Sequence, residues 1–178
     1  LRFPGNEYVE IPNHEDFAFQ TPFTIATWVN PVAQANVTAA VVSKPRGRNY
    51  GTGLHLHADD RQYGLGWCGP GCNGRGGTNE TGLQLGAWVH IVGSWDGNVV
   101  RVYRDGVEVA SSPTNVRPDA DRATPLLIGS EWVGSGAARS FTGDINSVRI
   151  WGRALDGEEV TAAYRGEEPG GLRGRWRF

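Results

Sequence analysis

The only two cysteines of the chain stand close together, in the segment Cys68-Gly-Pro-Gly-Cys72. A thiol pair could be a redox pair, half of a metal site or a structural disulfide. A redox Cys-x-x-Cys motif has fewer spacer residues, and a structural zinc site needs four ligands, which no second cysteine pair supplies here. The spacing therefore favours a disulfide that holds one loop. Such a bond predicts a protein that works outside the reducing cytosol.

The histidines are the other groups that could bind a metal or transfer protons. They are His14, His55, His57 and His90. His55 and His57 alternate with leucines, so they could share one face of a strand and reach one ion. A zinc site needs a third and a fourth ligand, and the four histidines form no known metal pattern. The sequence also lacks a Gly-x-Ser-x-Gly motif that would mark a serine nucleophile.

Several residues suited to sugar recognition lie in or beside segments without a clear strand pattern. A sugar ring packs its C–H groups on an aromatic face, and planar polar groups bind its hydroxyls. The candidates are Arg46, Tyr50, His55, His57, Trp67, Asn73, Arg75, Trp132 and Arg139. Trp132 is the best aromatic candidate, because Gly134 and Gly136 argue against a strand there. We expect some of these side chains to converge on one rim or face, where a disulfide would lower the entropic cost of binding.

Each candidate also has a structural interpretation. Trp67 alternates with Leu65 and could belong to the core, and the loop arginines could simply be solvated. Five other tryptophans lie in strand patterns, and we expect them to pack in the core or on a sheet. They are Trp28, Trp88, Trp95, Trp151 and Trp176.

The elements that must position these residues are mostly strands, because apolar residues alternate with a period of two along most of the chain. The alternation predicts strands over residues 8–11, 23–29, 54–57, 63–67, 88–95, 99–104, 107–110, 126–128, 145–151 and 172–178. Asp105-Gly106, between two apolar runs, predicts a tight hairpin turn. Segments 45–53, 69–82, 111–125 and 130–140 are expected to be loops.

One helix is predicted near the end of the chain. Asp156 can cap it, and Glu159 stands three residues later, as in a capping box. Leu155 and Val160 occupy the staple positions, and Gly166 can end the helix. A helix of two or three turns is too short to be a second layer, so it should be an addition to a β fold.

The bulk composition suits a single domain over residues 1–178, large enough to bury a core. The formal net charge of −2 gives no reason to expect nucleic acid as a partner. No stretch is long and apolar enough to cross a membrane. Leu1 is not a translation start, so we expect a processed product or a domain of a larger protein.

Three stretches, in order, resemble the laminin-G-like or concanavalin-A-like jelly-roll family in its bacterial extracellular form. They are residues 1–12, residues 88–106 with Trp-Val-His-Ile-Val-Gly-Ser-Trp-Asp-Gly, and residues 141–155 with Ser-Val-Arg-Ile-Trp. The resemblance implies an all-β, two-sheet antiparallel jelly-roll sandwich with one short C-terminal helix. It also implies sugar or protein ligands at the concave face or the rim loops, and a secreted location. We expect the tail from Gly171 to complete the sheet beside the first strand, or to begin a following domain.

Relatives of this fold include glucanases, which need two carboxylates across a cleft. The strand pattern Glu-x-Asp-x-x-Glu or similar that supplies them is absent here. Glu158 and Glu159 fall on the helix, and Asp119 and Asp121 fall in a proline-rich loop. The resemblance therefore implies a domain without catalytic residues, although it could be attached to a glycoside hydrolase.

Many members of this family carry a structural calcium ion. Asn146 stands where they have an acidic ligand, and Asn is a neutral oxygen ligand that should bind more weakly. Asp144 could substitute for it, with Asn6 and Glu7 as candidates near the first strand. The alternative is that Asn6 is a turn residue and Asn146 an edge residue.

The sequence thus predicts a non-catalytic carbohydrate-binding module of a secreted protein. Its partners would be a saccharide and a neighbouring catalytic or surface domain of the parent chain, and neither nucleic acid nor a membrane. An adhesion or protein-interaction domain of the same fold is the first alternative. A glycoside hydrolase is the last.

Overall fold

The computed structural model describes residues 1–32, 39–46, 54–58, 62–82, 84–119, 123–133, 136–137 and 139–178, without the side chains of residues 133, 136 and 137. Its strands are β1 Arg2–Pro4, β2 Val9–Ile11, β3 Phe23–Pro31, β4 Ala40–Lys44, β5 Leu54–Ala58, β6 Gln62–Cys68, β7 Arg75–Thr81, β8 Val89–Trp95, β9 Val99–Arg104, β10 Val107–Pro113, β11 Leu126–Ile128, β12 Trp132–Val133, β13 Gly136–Ala137, β14 Thr142–Trp151 and β15 Leu172–Arg177. The helix α1 spans Gly157–Tyr164. Short 3-10 turns cover Glu15–Phe17 and Pro70–Cys72.

The first sheet has seven strands, in the order β1-β14-β3-β8-β9-β10, with β15 also paired to β14. All of these pairs are antiparallel. β1 pairs with residues 142–144 of β14, and β15 pairs with residues 147–151 along the same edge. The tail therefore completes this sheet beside the first strand.

The second sheet has six antiparallel strands, in the order β2-β11-β4-β5-β6-β7. Its inner face packs on the inner face of the seven-stranded sheet. The core between them is formed by alternate apolar residues such as Ile25, Leu56, Leu65, Val102 and Ile150, all with no exposed surface. This is the two-layer sandwich that the alternation predicted.

A second, smaller core lies on the outer face of the seven-stranded sheet, under α1. It joins residues of the sheet to residues of the helix region, namely Ala26, Val92, Tyr103, Trp151, Leu155, Val160 and Ala163. The predicted capping box is present, because Asp156 accepts from the Glu159 N–H and the Glu159 side chain accepts from the Asp156 N–H. Within the described ranges, no helix has the length and apolarity needed to cross a bilayer.

The structure confirms the predicted all-β jelly-roll sandwich with one short C-terminal helix. Three segments predicted as loops are strands, at least in part, and one of them, 130–140, contains β12 and β13. β7 crosses the segment 69–82, and β10 continues to Pro113. Arg-Gly-Gly-Thr-Asn-Glu-Thr shows no apolar alternation, because β7 is an edge strand whose pairing with β6 does not depend on buried apolar side chains.

Candidate functional site

A groove of about 250 Å³ lies on the outer face of the six-stranded sheet. Side chains alternate along β5, so Leu54 and Leu56 enter the core while His55 and His57 face outward. The imidazoles of His55 and His57 lie 5.2 Å apart, centre to centre. The prediction that these two histidines share one face is thus confirmed.

The floor of the groove is made of glycines. The register places His55 opposite Gly66, and Gly66 opposite Gly77 on β7. In the next outward-facing row, His57 lies opposite Gly64. Gly66 and Gly77 line the groove, and because they have no side chains the backbone of β6 and β7 is open beside His55. Gly64 is not open, because an added Cβ there would lie 2.4 Å from the carbonyl oxygen of Thr78. The sequence analysis did not identify this floor, since glycines in a strand more often mark bulges than a site.

A buried carboxylate closes one side of the histidine pair. Glu131 is fully buried, and its Oε2 lies 3.4 Å from an Nη of Arg139 and 4.0 Å from Nδ1 of His55. His55 is 9% exposed, and its Nδ1 has no hydrogen-bond partner. Nδ1 thus faces Glu131, whereas Nε2 lies on the side of Gly66, where an added Cβ would be 3.6 Å from it.

His55 is neutral at physiological pH. Burial lowers the pKa of its imidazole well below the usual value, and the nearby His57, Arg139 and Arg75 lower it further. A neutral imidazole has one N–H donor and one acceptor nitrogen. At the groove, Nε2 of His55 can therefore donate a hydrogen bond to a hydroxyl group or accept one from it, depending on the tautomer.

The far rim of the groove is polar. Arg75 begins β7, is exposed and lines the groove, and within the described residues its guanidinium forms no ion pair. Asn79 also lines the groove and donates from its amide to Oε1 of Gln62, at 2.8 Å. The groove thus offers guanidinium, amide and imidazole groups beside an open backbone.

The predicted disulfide between Cys68 and Cys72 is present, with the two Cα atoms 4.8 Å apart. It closes the turn that joins β6 to β7, directly beside Arg75. The carboxylate of Asp119 accepts from the Gly71 N–H at 3.2 Å and from Nε of Arg46 at 2.6 Å. Arg46, predicted to bind a ligand, is thus engaged in bracing the disulfide loop.

The two tryptophans predicted as sugar platforms are buried, and this corrects the sequence analysis. Trp67 is 2% exposed, contacts Phe23 and Trp95, and donates from Nε1 to the Val116 carbonyl at 2.9 Å. Trp132 is 7% exposed and belongs to β12, despite the glycines that follow it. Neither indole presents an open face on which a sugar ring could stack.

The remaining candidates divide between the groove and other places. His55, His57 and Arg75 line the groove. Arg139 lies beside them, because it pairs with Glu131, which is close to His55. Asn73 ends the short turn after Cys72 and does not line the groove. Tyr50 lies outside the described residues.

The four calcium candidates lie near the edge of the seven-stranded sheet where β1 pairs with β14. Asn6 and Glu7 follow the end of β1 that pairs with Thr142, whereas Asp144 and Asn146 lie two and four residues further along β14. In the part of the chain that the structure describes, no three His, Cys, Asp or Glu side chains form a group able to hold a metal. Calcium is also bound by amide and backbone carbonyl oxygens, so the calcium site stays a prediction.

Comparison with solved structures finds the same sandwich in proteins of low sequence identity. Domain 4 of AbnA, a GH43 extracellular arabinanase from Geobacillus stearothermophilus in complex with arabinotriose, is 22% identical, with a TM-score of 0.68 over 90% of this chain and 73% of that one. The IT-sialidase CBM40 of Ruminococcus gnavus bound to α2,3-sialyllactose is 12% identical, with a TM-score of 0.71 over 92% and 98%. A SAP-like pentraxin from Limulus polyphemus is 18% identical, with a TM-score of 0.61 over 92% and 80%.

The sequence of the chain also matches a family model. No curated protein matches it closely enough to count as a relative. The model of the concanavalin A-like lectin/glucanase superfamily matches residues 3–161, which is most of the chain and includes every strand of the sandwich except β15 and part of β1. Fold, strand order and family match agree, and the chain therefore belongs to the concanavalin A-like lectin/glucanase superfamily.

Proposed function

We propose that this domain binds a saccharide in the groove on the outer face of the six-stranded sheet. The observation that carries the proposal is the row of His55, Gly66 and Gly77, which places Nε2 of the imidazole beside open strand backbone. Sugar hydroxyls both donate and accept hydrogen bonds, and so does a neutral imidazole.

The rim of the groove supports the same ligand class. Arg75 and Asn79 supply planar groups that can bind adjacent hydroxyls of one ring. Two of the structurally similar proteins were solved with an oligosaccharide, arabinotriose in one and α2,3-sialyllactose in the other. Because Trp67, which borders the groove, is only 2% exposed, we expect hydrogen bonds rather than ring stacking to provide most of the affinity.

We propose further that the domain is non-catalytic and works outside the cell. Glycoside hydrolysis generally requires two carboxylates on opposite sides of the scissile bond. Among the described residues, the lining of the groove includes no carboxylate, and the adjacent Glu131 is buried and paired with Arg139. The Cys68–Cys72 disulfide supports an oxidising environment.

The test is a glycan array followed by calorimetric titration of the best saccharide, with and without a calcium chelator. Arg75→Ala should weaken binding about tenfold or more, because it removes charge-assisted hydrogen bonds worth about 1.5–3 kcal/mol. Arg165→Ala is the matched control, since Arg165 is exposed at the end of α1, on the other face of the sandwich.

His55→Gln provides a second test that keeps a polar side chain at the position. Loss of affinity in both groove variants, with the control unchanged, would support the proposal. Saccharide binding that neither groove variant alters would move the site elsewhere. A folded protein that binds no glycan on the array would instead favour a protein partner.

A further inference from the structure

A second cavity, of about 320 Å³, lies on the opposite face of the sandwich, beside the C-terminal end of α1. Its lining residues come from three strands and the helix end. They are Trp28, Asn146, Ser147, Arg149, Gly166, Arg175 and Arg177. Since the groove lies on the other sheet, this cavity is a separate feature and does not depend on the proposed function.

The cavity collects positive charge in a chain whose formal net charge is −2. Arg175 and Arg177 are two residues apart on β15 and so point to the same side of the sheet, whereas Arg173 lies at a bulge in the pairing with β14 and does not line the cavity. Arg173 is neutralised by Asp16 at 2.8 Å, and Arg175 by Glu168 at 2.6 Å. Arg177 is exposed, and among the described residues it has no ion pair.

Arg149, on the neighbouring strand β14, is a buried cation without a carboxylate. It is 7% exposed, and its guanidinium donates to the carbonyls of Ala163 at 2.7 Å and Glu167 at 3.0 Å. Within the described ranges, no Asp or Glu lies within ion-pair distance of it. Burial, followed by the nearby Arg175, lowers the pKa of Arg149. Buried charges are usually paired, so this site has unbalanced positive charge.

The other lining groups suit a sugar ring that carries an anion. The indole of Trp28 forms an aromatic wall and is held by stacking on Tyr164, with the ring centres 5.6 Å apart. Asn146 and Ser147 add an amide and a hydroxyl at the bulge in β14. Guanidinium groups bind carboxylates and sulfates through paired N–H donors, and aromatic rings pack on the C–H face of sugars.

We propose that this cavity is a second ligand site, which binds an acidic saccharide through Arg149, Arg175 and Arg177, with Trp28 against the sugar. The shared chemistry is one anionic group, a carboxylate or a sulfate, carried on a sugar ring. The site would place two ligands on opposite faces of one domain.

The experiment compares three polymers that share one backbone: dextran, carboxymethyl-dextran and dextran sulfate. Affinity is measured by calorimetry or surface binding at about 0.15 M salt, where exposed charges are largely screened beyond about 8 Å. We expect dextran to bind at least tenfold more weakly than one of the charged polymers. Which of the two binds more tightly distinguishes a carboxylate from a sulfate ligand.

Two arginine variants distinguish binding in the cavity from nonspecific electrostatic attraction to the charged polymer. Arg177→Gln should reduce the affinity for the charged polymer about tenfold, whereas Arg173→Gln removes the same charge from the same strand but outside the cavity, and should change it less than about twofold. Equal losses in Arg177→Gln and Arg173→Gln would overturn the proposal, and so would a folded protein that binds neither charged polymer.

Discussion

The two outer faces of the sandwich differ in what lies over them. On the seven-stranded sheet, α1 covers Ala26, Val92 and Trp151 and closes a second apolar core. On the six-stranded sheet, the outward positions of β5 to β7 hold histidines and glycines, and a groove remains. Both inner faces present buried apolar residues to the shared core. The difference between the two outer faces is therefore determined by their outward-facing residues. One face adds stability, and the other leaves its backbone open.

Each face nevertheless buries a histidine with a lowered pKa. His90, on β8, has no exposed surface, and burial followed by Arg149 lowers its pKa to about 3. In the groove, burial followed by the nearby His57, Arg139 and Arg75 lowers the pKa of His55. The imidazole of His90 contacts the rings of both Trp28 and Tyr164, which stack on each other. A shifted pKa alone therefore does not distinguish a packed histidine from one that faces a site.

The largest expected effect is on the covered face. Trp151→Ala removes a fully buried indole from the second core and should lower the free energy of unfolding by about 3–5 kcal/mol. Urea unfolding followed by circular dichroism measures it. Trp88→Ala is the control, because Trp88 is 48% exposed, and it should cost less than about 0.5 kcal/mol. Similar losses in the two variants would contradict the claim that α1 and the sheet form a stabilising core.

The next effect separates two glycines of the six-stranded sheet, Gly66 on the open outer face and Gly76 facing the core. A Cβ at Gly76 would lie 2.3 Å from Cε2 of Trp67, whereas a Cβ at Gly66 would lie 3.6 Å from Nε2 of His55, in ordinary contact. Gly76→Ala should therefore cost about 1–3 kcal/mol through overpacking. Gly66→Ala should change stability by less than about 0.5 kcal/mol while narrowing the groove. If Gly66→Ala were the more costly, the floor of the groove would be part of the packed structure.

The smallest expected effect concerns pH and the buried histidine of the covered face. The pKa of His90 is about 3 in the folded protein, below the unfolded value of 6.5, so acid favours the unfolded state, which binds the proton. Its stabilising contribution is complete above pH 6.5 and is lost progressively as the pH falls towards 3. At pH 5.5 the loss should be about 1.4 kcal/mol relative to pH 8.

Denaturant unfolding of wild type and His90→Gln at both pH values measures this contribution. The variant should lose about 1.4 kcal/mol less than wild type between pH 8 and pH 5.5. His55→Gln should act in the same direction, since the pKa of His55 is also lowered. An unchanged pH dependence in His90→Gln would show that this imidazole takes up a proton in the folded state.

Most of the fold could be predicted, because the residues of a strand that face the core are apolar and alternate along the sequence. Leu126–Ile128 is a strand as predicted, and Asp105 and Gly106 have φ values of 52° and 86°, as a tight hairpin turn requires. The site was predicted only in part. His55 and His57 were found by their alternation, but the burial of Trp67 and Trp132 depends on contacts between distant strands, such as the bond from Trp67 to Val116. Local pattern contains no information on such contacts.

The joint edge formed by β1 and β15 has a consequence for the topology of the chain. Leu1 exchanges backbone hydrogen bonds with Ile145, and the Phe178 N–H donates to the carbonyl of Asn146. The first and the last residue are thus bound to neighbouring residues of one strand. A short linker could join these two residues without straining either sheet. The new N-terminus and C-terminus could then be placed at the turn that contains Gly97. A circular permutant of this kind should adopt the same sandwich, since the order of connections would change while every strand kept its neighbours.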